Sequence, residues 1–408
     1  MHPMVKPALR RGWRDLGTVQ FGMTPAHALT LGPMDAATGG LLDLLNGTRG
    51  LPLLRAEARR LDLPDGRVDA LVDRLARAGL VDDARGGGQA ADALRGKTEV
   101  LRRLRPDLAS LSLTTTEPGG ALARLAARRA LRVRVRGAGR VGAVLAAVLA
   151  GAGVGEVEVL DEGRVRPEDV APGGLPAESV GEPRRTAAAA AVRRAAPDRP
   201  PRRAHSPGSG AAEPGLSLVI LAPRDEVAVH APDPRAAEPL LASGTPHLYA
   251  GVVEGTGVVG PLVLPGETAC AGCLHENRTD RDPAWPRLLA QWRSGGPRHA
   301  GACDLALATA VAGLAAAHAL AFLDGASPSG TGARWEASLP GLTWHARPLW
   351  PHPACRCGAA ERAGKKAEAE HTPTRGLSRA TMAVQRPSTE RAREAGAARP
   401  TGTWRAHV

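Results

Sequence analysis

Residues 131–161 read LRVRVRGAGRVGAVLAAVLAGAGVGEVEVLD, and this stretch decides the fold. Apolar residues occupy every second position at its start, which is the pattern of a β-strand. Gly137, Gly139 and Gly142 follow, and they open a segment whose apolar residues recur at helical spacing before a second strand at 157–160. Strand, glycine loop, helix and strand in this order predict a βαβ unit with parallel strands.

The glycine loop and the acidic residue that ends the second strand predict a nucleotide site. Glycines let the backbone approach a phosphate, which then lies at the positive N-terminus of the helix. Asp161 directly follows the second strand, and its carboxylate can accept hydrogen bonds from both ribose hydroxyls. These features alone also fit a dehydrogenase, a flavin protein or a βαβ unit that binds no nucleotide.

Length and composition predict a globular protein of two or three domains. The chain has 408 residues, of which 43% are hydrophobic, enough for a sizeable core. The first residues include several arginines and no signal-peptide pattern, so we expect a cytoplasmic protein. The apolar stretch 305–323 is mostly alanine and contains His318, so we interpret it as a buried helix and not as a membrane span.

The positive net charge does not indicate a nucleic-acid partner. The formal net charge is +12, but residues 359–408 alone contain ten Lys or Arg against five Glu. Lysine is rare and aromatic residues make up 2% of the chain, so no basic run alternates with stacking side chains. We therefore predict that the protein binds neither nucleic acid nor a membrane.

Composition and periodicity divide the chain into four parts. Residues 1–85 combine short strands with three short helices, as in a winged-helix-like α+β module. Residues 86–129 are predicted to be a connector, residues 130–358 the nucleotide-binding domain, and residues 359–408 a disordered basic tail.

A winged-helix-like module serves packing or dimerisation, peptide binding or DNA binding. Its third helix lies among Asp65, Asp69 and Asp73, and these carboxylates disfavour a DNA groove. A DNA-binding regulator is therefore the weakest of the functions that we consider.

Four cysteines in two close pairs predict a structural zinc site. Cys270 pairs with Cys273 and Cys355 with Cys357, and thiolates from two short loops are a frequent zinc ligand set. The second pair has only one intervening residue, so His352 or Cys303 could replace one ligand. The alternative is that these cysteines are free or disulfide-bonded.

The chain resembles the ThiF/MoeB/E1-like adenylyltransferase family over about residues 130–358. The resemblance is carried by GAGVG at 151–155, GPLVLPG at 260–266 and WPHPACRCG at 350–358, together with the glycine loop and the cysteine pairs. It implies an α/β, Rossmann-like fold with a mixed sheet and a structural zinc ion, Zn²⁺. It also implies that the protein binds ATP with Mg²⁺ and adenylates the C-terminal carboxylate of a small ubiquitin-like protein or a peptide.

The resemblance assigns roles to five residues that match the family's motifs. Gly137, Gly139 and Gly142 correspond to the phosphate loop, and Asp161 to the ribose carboxylate. Asp225 follows the strand predicted at 218–221 and corresponds to the aspartate that directs magnesium.

The clamp motif of the family, Asn-x-x-Arg, is absent. Asp169 and Pro172 occupy its two positions, and Arg184 or Arg185 must replace the family's essential lysine. We expect the Asp169 carboxylate to lie near the triphosphate with no guanidinium opposite it, which disfavours the transition state. The sequence thus predicts weak pyrophosphate exchange in the absence of a partner protein.

Cys303 is the remaining candidate for thiol chemistry. Some family members pass the activated carboxylate to a cysteine, and Cys303 precedes Asp304, the predicted N-cap of the apolar helix at 305–323. That position could lower the pKa of the thiol. A buried, inert cysteine is the alternative.

Two functions follow from the resemblance. In the first, the protein is an enzyme that adenylates a peptide or small-protein carboxylate. In the second, it is a non-catalytic docking protein that binds a precursor peptide for a partner modifying enzyme, because the N-terminal module loosely resembles leader-peptide recognition modules. Family resemblance favours a homodimer in both.

Overall fold

The computed structural model describes residues 1–198, 215–295 and 301–371. Its N-terminal module consists of β1 Pro3–Val5, β2 Arg11–Asp15, β3 Thr18–Phe21, β4 Leu29–Leu31, α1 Ala36–Leu44, α2 Leu51–Arg60, α3 Arg67–Arg77 and β5 Val81–Asp83. Strands β2, β3 and β4 form one antiparallel sheet, and β1 pairs with β5 in another. Phe21, Leu41, Leu54 and Leu75 are fully buried in its core. The predicted strands and three helices are present, and the winged-helix likeness stays a prediction.

The segment predicted as a connector is helical. It contains α4 Gly88–Arg95, α5 Thr98–Arg103, α6 Arg105–Thr114 and α7 Gly120–Arg128. Leu94, Leu104 and Leu125 are buried in a small core of their own. Lys6 of the N-terminal module is buried and donates to the Thr115 carbonyl at 2.6 Å, which joins the module to these helices.

The remaining elements follow in chain order. They are β6 Arg132–Arg136, α8 Arg140–Gly151, β7 Glu156–Leu160, α9 Arg184–Ala195, β8 Leu218–Leu221, α10 Glu226–His230, α11 Pro234–Ala242, β9 His247–Val253, β10 Thr256–Val263, α12 Ala271–Arg281, α13 Trp285–Ser294, α14 Leu305–Leu323, β11 Ala333–Ser338, β12 His345–Pro348 and α15 Ala359–His371.

These strands form one seven-stranded sheet in the order β12-β11-β10-β9-β8-β6-β7. Strands β7, β6, β8 and β9 are parallel, and β9 to β12 are antiparallel. The predicted α/β fold with a mixed sheet is therefore confirmed. The parallel half places the loops after β6, β7 and β8 at one edge, where ligands of open α/β sheets bind.

Helix α14 is the apolar stretch that the sequence predicted to be buried. By length and composition alone it could cross a membrane. Leu307, Val311, Ala315 and Ala319 are fully buried in the core that the helix forms with α8 and the central strands. The prediction of a buried helix behind the sheet is confirmed.

The C-terminal segment divides from the rest of the chain after Lys365. Helix α15 spans Ala359–His371, so the predicted disorder is wrong for the first residues of the tail. The remainder of the predicted tail, 372–408, lies outside the described residues.

A buried ion pair joins α7 to the residue after α14. Arg128 donates to the Asp324 carboxylate from Nε at 2.6 Å and from Nη2 at 2.5 Å, and both side chains are less than one-tenth exposed. Removing one partner of a buried pair leaves an uncompensated charge. Arg128→Met should therefore lower the free energy of unfolding by about 3 kcal/mol in urea titrations. The double variant Arg128→Met with Asp324→Leu should recover most of this loss, and equal stability of the single variant would contradict the prediction.

Candidate functional site

Two of the three loop glycines are required by close packing of the backbone. Gly137 has φ +112°, and a Cβ on it would lie 1.9 Å from the Ala222 carbonyl oxygen. A Cβ on Gly142 would lie 2.0 Å from the Gly137 carbonyl oxygen. Both distances are too short for any side chain. These glycines therefore hold the loop against β8 and the start of α8.

Gly139 is different, because no backbone constraint requires a glycine there. Its φ is −78°, an ordinary value, and the three atoms nearest to an added Cβ all belong to the Arg224 side chain, at 3.0 to 3.6 Å. Gly139 is the N-cap of α8, and in the described part of the chain no side chain caps this helix. The N-terminus of α8 is thus a positive helix end that faces Arg224.

Asp161 is held by two donors. Its Oδ2 accepts from the Ala138 backbone N–H at 2.6 Å, and its Oδ1 accepts from Arg184 Nε at 3.0 Å. Arg184 begins α9, and its side chain is 10% exposed. Arg184 Nη1 also donates to the Arg164 carbonyl at 2.6 Å. Arg184, the predicted replacement for the family's lysine, is therefore held against Asp161, the predicted ribose carboxylate.

Asp169 lies between two arginines. Its side chain is 3% exposed, and Oδ1 accepts from Arg224 Nε at 2.8 Å and Nη2 at 2.6 Å. Its Oδ2 accepts from the Arg166 backbone N–H at 2.9 Å and lies 3.5 Å from Arg184 Nη1. The prediction that no guanidinium lies opposite Asp169 is therefore wrong, because Arg224 and Arg184 both neutralise its carboxylate.

Asp161, Arg184, Asp169 and Arg224 form an alternating ion-pair chain along the loop edge of the parallel strands. We call these four residues the ion-pair chain. Its formal charges cancel, and the two carboxylates hold both guanidinium groups in place. Sequence reasoning missed Arg224; the available signal was an arginine that follows β8 and directly precedes Asp225.

The other two predicted catalytic residues, Arg185 and Asp225, do not belong to the ion-pair chain. Arg185 is 64% exposed and its nearest acidic group is Glu158, at 3.4 Å, so it lies outside the ion-pair chain. Asp225 is the N-cap of α10, where its Oδ1 accepts from the Val227 N–H at 3.2 Å. Asp225 directly follows Arg224 in the chain, and no arginine among the described residues binds its carboxylate.

Cys303 is half-buried near the start of α8. Its carbonyl oxygen accepts from Arg140 Nη1 at 2.8 Å. Burial raises the pKa of the Cys303 thiol, and the nearby Arg140 opposes this shift only in part. The pKa is thus raised and not lowered, as for the alternative of a buried, inert cysteine, so at neutral pH the Cys303 thiol is protonated and a poor nucleophile.

The four paired cysteines converge in one cluster. Sγ–Sγ distances are 3.9 Å for Cys270 to Cys273, 3.6 Å for Cys270 to Cys355 and 3.5 Å for Cys273 to Cys357. All four sulfur atoms lie within 4.8 Å of one another. A tetrahedral site with Zn–S bonds of about 2.3 Å has sulfur–sulfur edges of about 3.8 Å, so the cluster fits zinc.

Neighbouring residues support this cluster. The Asn277 side-chain amide donates to the Cys273 and Trp350 carbonyls at 2.8 and 2.9 Å, which ties the two cysteine loops together. A Cβ on Gly272 would lie 2.8 Å from Cys355 Sγ, so only glycine leaves room for the thiol. The alternative ligand His352 instead contacts Asp280 at 2.8 Å, and the cluster needs neither His352 nor Cys303.

Comparison with known proteins agrees with this fold. The ThiF family model matches residues 117–359. No curated protein matches the sequence. Among solved structures, E. coli MccB with ATP has a TM-score of 0.61 and 13% identity and covers 88% of this chain and 99% of its own. The microcin C7 biosynthetic enzyme MccB with N-formylated MccA has a TM-score of 0.60 and 13% identity, and covers 88% of this chain and 100% of its own. PaaA has a TM-score of 0.59 and 15% identity, with coverage of 85% and 100%.

Proposed function

The chain belongs to the ThiF family, and from that premise we propose that it is an ATP-dependent adenylyltransferase that activates a carboxylate of a peptide or small protein. The observation that carries the proposal is the N-terminus of α8, which no described side chain caps and which lies beside Arg224 at the loop edge of the parallel strands. A positive helix end with an adjacent guanidinium is suited to a triphosphate. MccB, which shares the fold, has been solved with ATP and with N-formylated MccA.

Each residue of the site has a part in this proposal. The glycine loop and the first turn of α8 bind phosphate, and Asp161 faces the ribose. Arg184 holds Asp161 and neutralises charge at the site. Asp225 directs Mg²⁺, because proteins often bind this ion through one or two carboxylates together with the phosphates of the substrate. Arg185 has no part in it, because it contacts Glu158 instead.

The proposed reaction is a displacement at the α-phosphorus of ATP. A carboxylate oxygen of the substrate forms a bond to this phosphorus, and the bond from phosphorus to the bridging oxygen breaks. Pyrophosphate leaves with the electron pair, and the product is a mixed anhydride of the carboxylate and AMP. When bound, Mg²⁺ supplies positive charge to the phosphate oxygens. The arginines and the helix N-terminus stabilise the same charge without reorganising.

A second candidate function is favoured by the hydrogen bonds that Asp161 already accepts from Ala138 and Arg184. Both of its oxygens already accept hydrogen bonds, and Pro172 supplies no guanidinium where the family has its clamp arginine. A docking protein that keeps the fold and presents a precursor peptide to a partner modifying enzyme requires neither a free Asp161 carboxylate nor a clamp arginine.

Pyrophosphate exchange into ATP distinguishes the two functions. The probe is a mixture of short synthetic peptides with free C-terminal carboxylates, and the control is the same mixture with amidated C-termini. Adenylation predicts magnesium-dependent exchange with the free acids only. ATP binding with no exchange above the amidated control would favour the docking function.

We also propose a cytoplasmic homodimer with a structural zinc ion. Reduced thiols are stable in the cytoplasm, where disulfides rarely persist, and ATP is available there. The N-terminal module is the part that we propose to bind the peptide. The prediction of no nucleic-acid partner rests on the spread of charge given above.

Gly139→Val should weaken ATP binding at least tenfold without unfolding the protein. The valine side chain would collide with Arg224, whose Cγ lies 3.0 Å from the added Cβ, and would displace it from the α8 N-terminus, where we place the phosphates. Calorimetric titration with MgATP should show at least a tenfold loss of affinity, and thermal unfolding should change little. The matched control is Gly142→Ala, which should destabilise the fold itself because its Cβ meets the backbone. Wild-type affinity in a folded Gly139→Val variant would place the nucleotide elsewhere.

A further inference from the structure

The geometry points to Arg224 as a phosphate-binding residue that replaces the missing clamp arginine, with Asp169 as the residue that positions it. This inference rests on the proposed function and assigns a further residue to its site. Arg224 comes from the loop after β8, whereas the clamp position, Pro172, lies in the segment between β7 and α9. A guanidinium from the loop after a neighbouring strand would thus take the part of the clamp arginine.

The position of Arg224 follows from contacts with the glycine loop. The chain leaving β8 touches the loop at Ala222, whose carbonyl oxygen leaves no room for a Cβ on Gly137. Two residues later the Arg224 side chain passes over Gly139, with Cγ, Cδ and Nε all within 3.6 Å of the ideal Cβ position. The guanidinium is thereby placed beside the N-cap of α8, next to the backbone N–H groups that a phosphate would use.

Asp169 fixes the orientation of this guanidinium. The carboxylate is buried and is itself held by the Arg166 N–H, so it cannot follow Arg224 into solvent. Arg224 uses Nε and Nη2 on one oxygen of Asp169. Its Nη1 binds no partner among the described residues, and the side chain is 27% exposed. The guanidinium therefore keeps donors for a phosphate while its position is fixed.

This arrangement reverses the role that the sequence suggested for Asp169. An acidic residue at the asparagine position of the clamp motif would repel a triphosphate if it faced the phosphates alone. Here it binds Arg224 and Arg184, so its negative charge is compensated before the nucleotide arrives. Asp169 and Arg224 form one unit, in which the carboxylate orients and the guanidinium binds.

The test is calorimetric titration of the full chain with MgATP, ADP and AMP. Arg224→Ala should weaken ATP binding about ten- to hundredfold, because a charge-assisted hydrogen bond is lost. The loss should be smaller for ADP and smallest for AMP, since the charge on the ligand falls in that order. Arg224→Lys should retain part of the ATP affinity. The charge-matched control is Arg102→Ala, an exposed arginine of α5 that pairs with Glu99, and it should bind ATP as the wild type does.

A second variant guards against loss of the fold. Arg224→Gln combined with Asp169→Asn removes both charges and keeps two side chains able to hydrogen-bond, and it should lose the same affinity while staying folded. Arg224→Ala binding ATP within twofold of the wild type would overturn the inference and leave the proposed function standing. Equal losses for ATP and AMP would also overturn it, because they would mean that Arg224 only supports the loop. If the wild type binds no adenine nucleotide, the proposed function and the inference both fail.

Discussion

Replacing Cys273 with serine is expected to abolish zinc binding and to lower the midpoint of thermal unfolding by more than about 10 °C. Cys273 is fully buried, and its sulfur lies 3.5 Å from that of Cys357. A serine hydroxyl is a far weaker zinc ligand than a thiolate, and a site that forms only in the folded protein contributes its binding free energy to folding. Metal analysis of protein purified without added metal should give about one zinc per wild-type chain and close to none for the variant.

The matched control for this prediction is Cys303→Ser. It is the same substitution at the one cysteine outside the cluster, so bound zinc and thermal stability should stay close to wild type. Full stability of metal-free wild-type protein would contradict the zinc site. A Gly272→Ala variant that still binds zinc tightly would contradict the argument that the thiols need the space at this glycine.

Changing Asp225 to asparagine is expected to reduce pyrophosphate exchange about a thousandfold or more. The substitution removes the carboxylate that we propose to direct magnesium. The fold should be unaffected, because Asp225 caps α10 by accepting from the Val227 N–H and asparagine is an equally good N-cap. Exchange measured at saturating ATP and magnesium gives the rate, and thermal unfolding checks the fold.

Asp233→Asn is the control for this effect. Asp233 caps the next helix, α11, by accepting from the Arg235 N–H at 3.0 Å, so the two variants make the same chemical change at the same structural position. Only Asp225→Asn should lose exchange. Undiminished exchange in Asp225→Asn would remove this residue from the proposed site, and equal losses in both variants would indicate a structural cause.

The sequence predicted the features whose cause is local. The glycine loop, the strands on either side of it and the apolar α14 are each set by residues close together in the chain. The cysteine cluster was predictable although Cys273 and Cys357 are 84 residues apart, because two close cysteine pairs are a frequent zinc ligand set.

The ion-pair chain was not predictable, because its partners meet only after the sheet has formed. Asp169 and Arg224 are 55 residues apart, and they contact each other because β8 lies next to β6 and carries Arg224 to the glycine loop. Comparison of motifs shows an acidic residue in place of asparagine, which predicts repulsion of the triphosphate. It cannot show that an arginine from the loop after β8 binds that carboxylate.

Tertiary packing also decides the state of Cys303 and the structure of the 86–129 segment. The place of Cys303 before an N-cap could have lowered the pKa of its thiol, but burial of the thiol dominates, and burial depends on tertiary packing. Glycines at 86–88 and three consecutive threonines suggested a connector. The helices there are stabilised by packing of Leu94, Leu104 and Leu125, which their short apolar patterns did not reveal.

Calorimetric titration of the wild-type, zinc-loaded chain with MgATP tests the central claim most directly, namely that the glycine loop, the α8 N-terminus and the adjacent arginines form an adenine nucleotide site. We predict saturable binding of one ATP per chain with a dissociation constant between about 1 μM and 1 mM, and no binding of NAD. Absence of heat and of any thermal shift with ATP, ADP and AMP, in protein shown to be folded, would contradict the claim.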